Sequence, residues 1–481
     1  MRAKILASFL DEEHRKWWTL GAVTFGLFMI MLDNTIVNVA LPSIRADLHI
    51  SLSELEWVVA GYALSFAVLM LTGGKLADYY GRRRMFILGL TIFTASSLAC
   101  GLANSAGFLI AARIVQGSGS ALMNPATLSI IVATFAARQR GMAIGIWAGV
   151  SALALAIGPL LGGLITEHLH WSWIFFINVP VGVVAIVVAR VVINESRDTS
   201  AEQSLDLPGL AASAVGLFGL SYGLIEAHNY GWTSTRILGS FAVAAVCLLA
   251  FVYIETHRRL PMIELSLFRN VTFSGANTVM LLIGLAMFGV FFYVSLYLQN
   301  VLRWSPTQAG AAFLPWTLLI VVIAPVAGRL SDKIGSRWLI GAGMLLVSGS
   351  LLIFATVSAN ATFWDLLPAM VVGGFGMAIT MAPTTATAMG SVPVDQAGVG
   401  SAVLNSMRQV GGSMGIAVMG AIIAGYVTAP PGSPQSRVQF LHGFHHAVAA
   451  GAGIAFAAAV IGMATIRRLP HHAREPVADL G

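Results

Sequence analysis

The sequence predicts an all-α integral membrane protein with about fourteen transmembrane helices and both termini in the cytoplasm. Of its 481 residues, 57% are hydrophobic and only 10% are charged, and the mean hydropathy is +0.81. Soluble proteins carry about 25% charged residues, so a multi-pass protein of the cell membrane is expected. Apolar runs of about 20 residues, the length that crosses a bilayer, recur along the chain. They lie near 18–41, 54–74, 85–103, 105–128, 141–166, 173–193, 207–226, 237–255, 272–296, 307–328, 337–357, 366–388, 398–425 and 446–466.

The basic residues predict the orientation, because Lys and Arg concentrate in cytoplasmic segments. If the N-terminus is inside, the outer segments hold few basic residues. These are Arg45, Arg236, Arg303 and Arg437. Arg113 and Arg408 fall within spans, and the rest face the cytoplasm. This asymmetry explains the net charge of +6 without a nucleic-acid partner, and a bacterial cytoplasmic membrane is the expected location.

A charged segment occurs twice, each time between two apolar runs. Residues 74–84 and 328–337 both read Gly-x-Leu-x-Asp-x-x-Gly-x-Arg, which indicates duplicated helical halves. The segment resembles the signature loop of the major facilitator superfamily, which joins the second and third helices of a half. The resemblance implies gating loops that latch helix ends at the interface between halves. Their residues are Gly74, Asp78, Gly81, Arg82 and Arg83 in the first copy and Asp332, Gly335 and Arg337 in the second.

The spacing of the two copies leaves room for six helices and a further pair. A layout of six, two and six helices resembles the fourteen-helix EmrB/QacA drug-efflux branch of the superfamily and implies its two-half fold. The predicted units are a cytoplasmic tail (1–17), a first six-helix half (18–193), a linker with two extra helices (194–270), a second half (271–466) and a cytoplasmic tail (467–481).

The first helix ends in a segment, 32–42, that is similar to the first-helix motif of that branch. Asp33 is the acidic residue that we place well inside a span, roughly 12 Å below the outer surface at 1.5 Å per residue. An ionisable group at that depth needs a partner, a water-filled cavity or a proton. We expect Asp33 to carry a proton or contact a cation, with Asn34 and Asn38 beside it. A purely structural aspartate held by hydrogen bonds is the alternative.

Residues 109–119 resemble the fourth-helix motif of the superfamily, whose arginine is associated with proton coupling. Arg113 lies roughly 12 Å deep by the same count, so it matches Asp33 in depth, and Gln116 lies one turn further on. The count leaves open whether Arg113 faces Asp33 or braces backbone carbonyls. An adjacent cation and desolvation would act on Asp33 protonation in opposite directions, and the sequence leaves the balance open.

Gly158, Pro159, Gly162 and Gly163 resemble the antiporter motif of exporters. Glycines allow close helix approach and proline permits a bend. Residues 154–155 (Ala-Leu) depart from the branch, where another helix-breaking residue is frequent.

Several side chains of the second half are candidates for lining a cavity. They are Asn405, Arg408, Gln409, Trp316 and Tyr293. Acidic residues that some multidrug members carry near the first three are absent from that stretch, so Arg408 would meet an anionic group or serve structure.

The expected function is export of small hydrophobic, cationic or amphipathic drugs in exchange for protons, with the proton gradient as the energy source and no cofactor. No enzymatic activity is expected, because both Gly-x-Ser-x-Gly matches lie inside apolar runs. His442, His445 and His446 lack neighbouring Cys or carboxylate ligands, so no metal is expected. A metabolite transporter and a non-transporting receptor or scaffold remain alternatives, and the sequence neither indicates nor excludes a periplasmic adaptor protein.

Overall fold

The computed structural model describes residues 12–197, 206–259, 261–393, 396–430 and 433–467. Within these ranges the chain is helical and contains no β-strand, and fourteen helices are long and apolar enough to cross a membrane. The predicted fold class and helix number are confirmed. Most of both predicted cytoplasmic tails, residues 1–11 and 468–481, and part of the linker, residues 198–205 and 260, lie outside the described residues.

The helices are numbered α1 to α14 in chain order. The first six are α1 Glu12–Leu48, α2 Leu52–Tyr80, α3 Arg82–Gly101, α4 Ala106–Thr134, α5 Ala137–His168 and α6 Trp173–Val192. The central pair is α7 Leu207–Tyr230 and α8 Thr235–His257. The last six are α9 Val271–Leu296, α10 Pro306–Ser331, α11 Ser336–Phe354, α12 Phe363–Gly390, α13 Ala397–Ala424 and α14 Pro434–Thr465.

Several helices extend well beyond the apolar runs that predicted them. The first helix continues to Leu48, and α14 begins at Pro434 rather than near 446. A run of about 20 apolar residues marks only the part of a helix that crosses the hydrocarbon. Polar turns outside that layer stay helical without contributing to the hydropathy signal.

The duplicated segments are helical almost throughout, which corrects the prediction of loops. In the first copy α2 continues to Tyr80 and only Gly81 interrupts it, at φ +113°. In the second copy the helical backbone continues to Ile334 and breaks at Gly335, at φ +89°. A positive φ is accessible to glycine at little cost, so each copy is a sharp corner between two helices. The side chain of Asp332 lies outside the described residues.

The two sets of six helices repeat the same pairings. In the first set α4 packs against both α2 and α3, and α1 packs against α5. In the second set α12 packs against α10 and α11, and α9 packs against α13. The matching pairs support the duplication that the two charged segments indicate. The division of the chain at the predicted boundaries stays a prediction.

The halves meet mainly through α2 with α13 and through α5 with α10. The central pair packs along the first of these contacts, because α7 touches both α2 and α13. Trp57 of α2 stacks on Phe218 of α7 with ring centroids 6.4 Å apart. The extra pair therefore covers a lateral seam between the halves.

Two ends of the bundle are distinguished below. The basic end carries Gly81, Gly335 and the arginines beside them, and the positive-inside rule assigns it to the cytoplasm. The other end, where α1 and α3 finish at Leu48 and Gly101, is called the opposite end.

Because the corner at Gly81 requires a positive φ, we expect substitution of this glycine to destabilise the folded protein. A Cβ there would lie 2.5 Å from the carboxyl carbon of Glu195, and the backbone would stay in a region that side chains disfavour. We expect Gly81→Ala to lower the free energy of unfolding by about 1–3 kcal/mol, measured by thermal unfolding in detergent.

Gly145→Ala is the matched control, because a Cβ at this helical glycine would meet nothing within 4 Å. Its melting temperature should be unchanged or slightly raised. Equal melting temperatures for the two variants would contradict the assignment of strain to the corner.

Candidate functional site

Asp33 and Arg113 face each other across α1 and α4. Arg113 Nη1 donates to Asp33 Oδ2 at 2.5 Å, and both side chains are 0% exposed. The question that the sequence left open, whether Arg113 faces Asp33, is answered by this contact. An ion pair with no solvent contact is stable only if further hydrogen bonds satisfy its remaining polar atoms.

Gln116 makes some of these hydrogen bonds. It lies one turn from Arg113 on the same face of α4. Its Nε2 donates to Asp33 Oδ1 at 3.1 Å and to Ser97 Oγ of α3 at 2.7 Å. Its Oε1 accepts from Arg113 Nη1 at 2.6 Å. Each carboxylate oxygen of Asp33 thus has a partner. Ser97 was not a sequence candidate, because one serine in an apolar helix carries no signal of its own.

Arg113 also braces α2, so the two roles that the sequence left open coexist. Its Nε donates to the carbonyl oxygen of Val58 at 3.1 Å. Its guanidinium carbon lies 4.2 Å from the centre of the Tyr62 ring, one turn further along α2, a distance at which cation–π attraction is appreciable. The network therefore connects four helices, α1 to α4, around one pair of charges.

A small polar pocket lies beside the pair at the interface between the halves. Its volume is about 10 Å³, roughly what one water molecule needs. It is lined by Asn34, Asn38, Val59, Tyr62, Ala63 and Arg113 of the first half and by Phe288 of the second. Among the described residues, the buried Arg113 Nη2 has no hydrogen-bond partner. The predicted residues Asn34 and Asn38 are thus placed at this pocket, next to a guanidinium with unused donor capacity.

A larger cavity of about 190 Å³ lies nearer the basic end, between the two halves. Its polar lining comes from Lys75, Asp78, Asn124, Ser129, Ser401 and Asn405. Its apolar lining includes Met70, Leu71, Pro125, Leu128, Trp147 and Met262. Flexible methionines with an aromatic ring suit a site that adapts to different molecules. Of the five predicted lining residues of the second half, Asn405 lies in this wall.

The other four predicted lining residues are placed elsewhere. Arg408 is half-buried and its Nη2 lies 3.4 Å from Asn405 Oδ1, within reach of the cavity wall. Gln409 is 1% exposed and, in the described part of the chain, neither of its amide atoms has a partner. Trp316 is buried against Phe291 within the second half. Tyr293 is buried at the opposite end.

The antiporter-motif glycines close the opposite end. A Cβ at Gly162 would lie 2.5 Å from the carbonyl oxygen of Ile36, so α5 touches the backbone of α1. A Cβ at Gly163 would lie 2.3 Å from the carbonyl oxygen of Pro306, and Gly310 meets the carbonyl oxygen of Pro159 in the same way. These contacts leave no room between α5 and α10. Gly158 likewise lets α5 approach α1, because the Thr35 side chain occupies the space that a Cβ would need.

Polar contacts between the halves follow at the same end. Ser295 of α9 donates to the carbonyl oxygen of Asn38 at 2.8 Å, and Gln299 donates to that of Val39 at 2.9 Å. The backbone N–H of Thr307 donates to Glu167 at 2.9 Å. The structure is therefore closed at the opposite end, while its large cavity lies toward the basic end.

The gating residues of the first copy hold their own half together. Asp78 pairs with Arg82 at 3.0 Å. Arg83 donates to the carbonyl oxygen of Arg190 at 2.6 Å, and its backbone N–H donates to Glu195 at 3.1 Å. Lys75 is the residue of this segment that reaches the linker before the second half, since its Nζ donates to the carbonyl oxygen of Pro261 at 2.5 Å. In the second copy, Arg337 stacks over Trp338 at 5.3 Å.

Glu56 is a buried carboxylate that the sequence reasoning missed. It lies one turn inside α2 and is 3% exposed, so Asp33 is not alone among buried acids. Its Oε1 lies 2.7 Å from the hydroxyl oxygen of Tyr293 in the second half. The apolar run predicted a helix that begins at 54, which placed Glu56 at a helix end. The sequence signal available for its burial was that this carboxylate directly precedes Trp57 within an apolar run.

Comparisons with known proteins agree with this architecture. A family model described as Major Facilitator Superfamily matches residues 23–416. The tetracenomycin C resistance and export protein of Streptomyces glaucescens is 38% identical over 413 residues, which cover 86% of this chain and 77% of that protein. The puromycin resistance protein pur8 of Streptomyces alboniger is 33% identical over 465 residues, covering 95% and 92%. The multidrug resistance protein Stp of Mycobacterium tuberculosis is 36% identical over 414 residues, covering 85% and 76%.

Solved structures show the same fold. A bacterial homologue of the human lysosomal transporter Spinster, in an inward-facing and unoccupied conformation, superposes with a TM-score of 0.66 at 17% identity, covering 94% of this chain and 97% of that one. The predicted family is thereby confirmed, and the fourteen helices fit its drug-efflux branch. The chain is a member of the major facilitator superfamily and a transporter rather than an enzyme.

Proposed function

We propose that this protein exports small hydrophobic, cationic or amphipathic drugs from the cytoplasm and that Asp33 couples export to protons. The observation that carries the proposal is the fully buried Asp33–Arg113 pair beside a pocket at the half–half interface. Support for the substrate class comes from relatives whose names record resistance to, and export of, antibiotics. The cavity toward the basic end offers such molecules an adaptable apolar wall.

Protonation of Asp33 provides the coupling step. A neutral Asp33 leaves Arg113 as a buried charge without its counter-ion, which costs about 3–5 kcal/mol in comparable pairs. Since about 1.4 kcal/mol is a factor of ten, this cost shifts a two-state equilibrium by roughly two to three and a half orders of magnitude. The guanidinium regains solvation if the pocket beside it opens to water. A proton on Asp33 therefore favours separation of the halves on the basic-end side of that pocket, the side to which the proton is then released.

The cycle follows from alternating access between the two ends. Drug enters the cavity from the basic end and Asp33 gives up its proton to that side. After the opposite end opens, drug leaves and Asp33 takes a proton from outside. The antiporter-motif glycines then allow α5 and α10 to close together again.

The first prediction concerns the coupling carboxylate. Asp33→Asn cannot bind or release a proton, so substrate-induced proton release from purified protein should fall at least tenfold. Dye efflux from energised cells should fall with it, and an uncoupler should abolish efflux by the wild type. Asp47→Asn, on the same helix but half-exposed and outside the pocket, should remain within twofold of the wild type.

Dye export by Asp33→Asn at the wild-type rate would remove Asp33 from the coupling step. Efflux that persists in the presence of the uncoupler would instead favour a facilitative metabolite transporter, and absence of any flux would favour a receptor or scaffold.

The second prediction concerns closure of the opposite end. Gly163→Leu places a side chain where the carbonyl oxygen of Pro306 now lies, so the halves should stay apart there. A cysteine introduced at Val301, which is 8% exposed in the closed structure, reports this opening in a cysteine-free background. Its labelling by a membrane-impermeant maleimide should rise several-fold.

Gly149→Leu is the matched control, because a Cβ at this glycine of the same helix meets nothing within 4 Å. Equal labelling in both variants would show that the glycine contact does not control closure.

A further inference from the structure

Glu56 lies at the opposite end, where α2 of the first half meets α9 and α13 of the second. It is 3% exposed, and its carboxyl group sits between Tyr293 of α9 and Gly420 of α13. Along α2, Glu56 precedes Val58 by two residues and Tyr62 by six, and its side chain bonds to Tyr293 rather than to Arg113. Glu56 is therefore a separate group from the coupling carboxylate.

Hydrogen counting around Tyr293 indicates the protonation state of Glu56. The Tyr293 hydroxyl oxygen lies 2.7 Å from Glu56 Oε1 and 3.1 Å from the carbonyl oxygen of Ile416. A hydroxyl has one hydrogen to donate, and a carbonyl oxygen only accepts. An ionised Glu56 would also only accept, so one of the two short contacts would have no hydrogen. A protonated Glu56 donates to the Tyr293 hydroxyl, which donates in turn to the Ile416 carbonyl, so that each of the two short contacts has a hydrogen.

The charges around Glu56 agree with a neutral carboxyl group. Within the residues that the structure describes, no cation lies at ion-pair distance from Glu56. Arg45 of α1 and Glu226 of α7 act on the charge of Glu56 with opposite signs. The neighbouring groups on α13 are uncharged and are the Ile416 carbonyl and Gly420. The neighbouring group on α9 is the Tyr293 hydroxyl. A buried carboxylate without an ion pair is costly, whereas a hydrogen-bonded neutral acid is not.

The contact exists only while the opposite end is closed. A Cβ at Gly420 would lie 2.2 Å from Glu56 Oε1 and 2.3 Å from the Tyr293 hydroxyl oxygen, so α13 reaches the pair through a glycine. Separation of the halves at this end would expose Glu56 to water and remove both partners of the second half. In water a glutamic acid side chain has a pKa of about 4.3, so it is ionised at neutral pH.

We propose that Glu56 is a second proton-binding site, which holds a proton while the opposite end is closed and releases it to water on that side when this end opens. On opening, the carboxyl O–H bond breaks, the proton passes to water, and Glu56 remains as a hydrated carboxylate. Closing reverses the step. This proton is not exchanged for drug, so the inference goes beyond the proposed function and does not depend on Asp33.

The consequence is a gate that responds to pH on the outer side. Because the closed form binds one proton more than the open form, acid stabilises closure and rising pH favours opening. The open-to-closed ratio should rise by up to about tenfold per pH unit.

The test measures opening directly in purified protein. Spin labels on cysteines at Asn104 and Ala359, two exposed positions in loops at the opposite end, report the distance between the halves in a cysteine-free background. The label pair is placed in Asp33→Asn, so that coupling at Asp33 cannot contribute. The long-distance, open population should rise with pH, and adding Glu56→Gln, which keeps a neutral hydrogen-bonding amide, should abolish this dependence and hold the end closed.

Two further variants make the result decisive. Glu54→Gln, two residues away, preserves the capping box of α2 and should keep the full pH dependence. Tyr293→Phe removes the shared hydroxyl but leaves the acid, so it should stay pH-dependent with a larger open population. The infrared band of a protonated carboxyl group should be present at neutral pH and disappear in Glu56→Gln.

A pH dependence that survives Glu56→Gln, or an infrared band that is unchanged by it, would overturn the proposal. Neither result bears on drug efflux by the wild type, so failure here is distinguishable from failure of the proposed function. A Glu56→Gln protein that melts at the wild-type temperature confirms that the variant is folded.

Discussion

The structure depends on one buried pair of opposite charges. Asp33 and Arg113 have no exposed surface, so neither can be hydrated, and each makes the burial of the other tolerable. Removing either charge leaves the partner uncompensated in an apolar surrounding. A proton is a small ligand that removes one of these charges, and the coupling proposed for Asp33 depends on this property.

Close backbone approach is the second requirement, and small residues provide it. Gly162 and Gly163 bring α5 against α1 and α10, and Gly420 brings α13 against Glu56 and Tyr293. These contacts all lie at the opposite end and cannot tolerate a Cβ without movement. The halves can therefore close there completely, while a cavity of about 190 Å³ remains between them nearer the basic end. The closed contacts are therefore at the opposite end, and the cavity lies toward the basic end.

The sequence predicted much of the fold and part of the site. Fourteen spans follow from hydropathy because a lipid-crossing helix needs a long apolar run, and Asp33 and Arg113 stand out because charges in such runs are rare. Their mutual contact could not be predicted, since depth along two helices does not determine how each is rotated. The segment at Gly74–Tyr80 was predicted as a loop because its charges interrupt the apolar run, yet a helix continues into water without penalty.

Glu56 is a second residue whose environment could not be predicted from the local sequence. Its position near the start of an apolar run predicted a residue at a helix end, but α9 and α13 cover it in three dimensions. Such burial depends on helices more than 150 residues away in the chain, which no local pattern reports. Tyr293 was predicted as a cavity residue and instead belongs to the closed end.

The affinity of purified protein for an exported drug, measured as a function of pH, tests the central claim most directly. If drug and proton compete through Asp33, the dissociation constant should rise by up to about tenfold for each unit of falling pH, and Asp33→Asn should bind drug independently of pH. A wild-type affinity that does not change with pH, or the same slope in Asp33→Asn, would contradict the account.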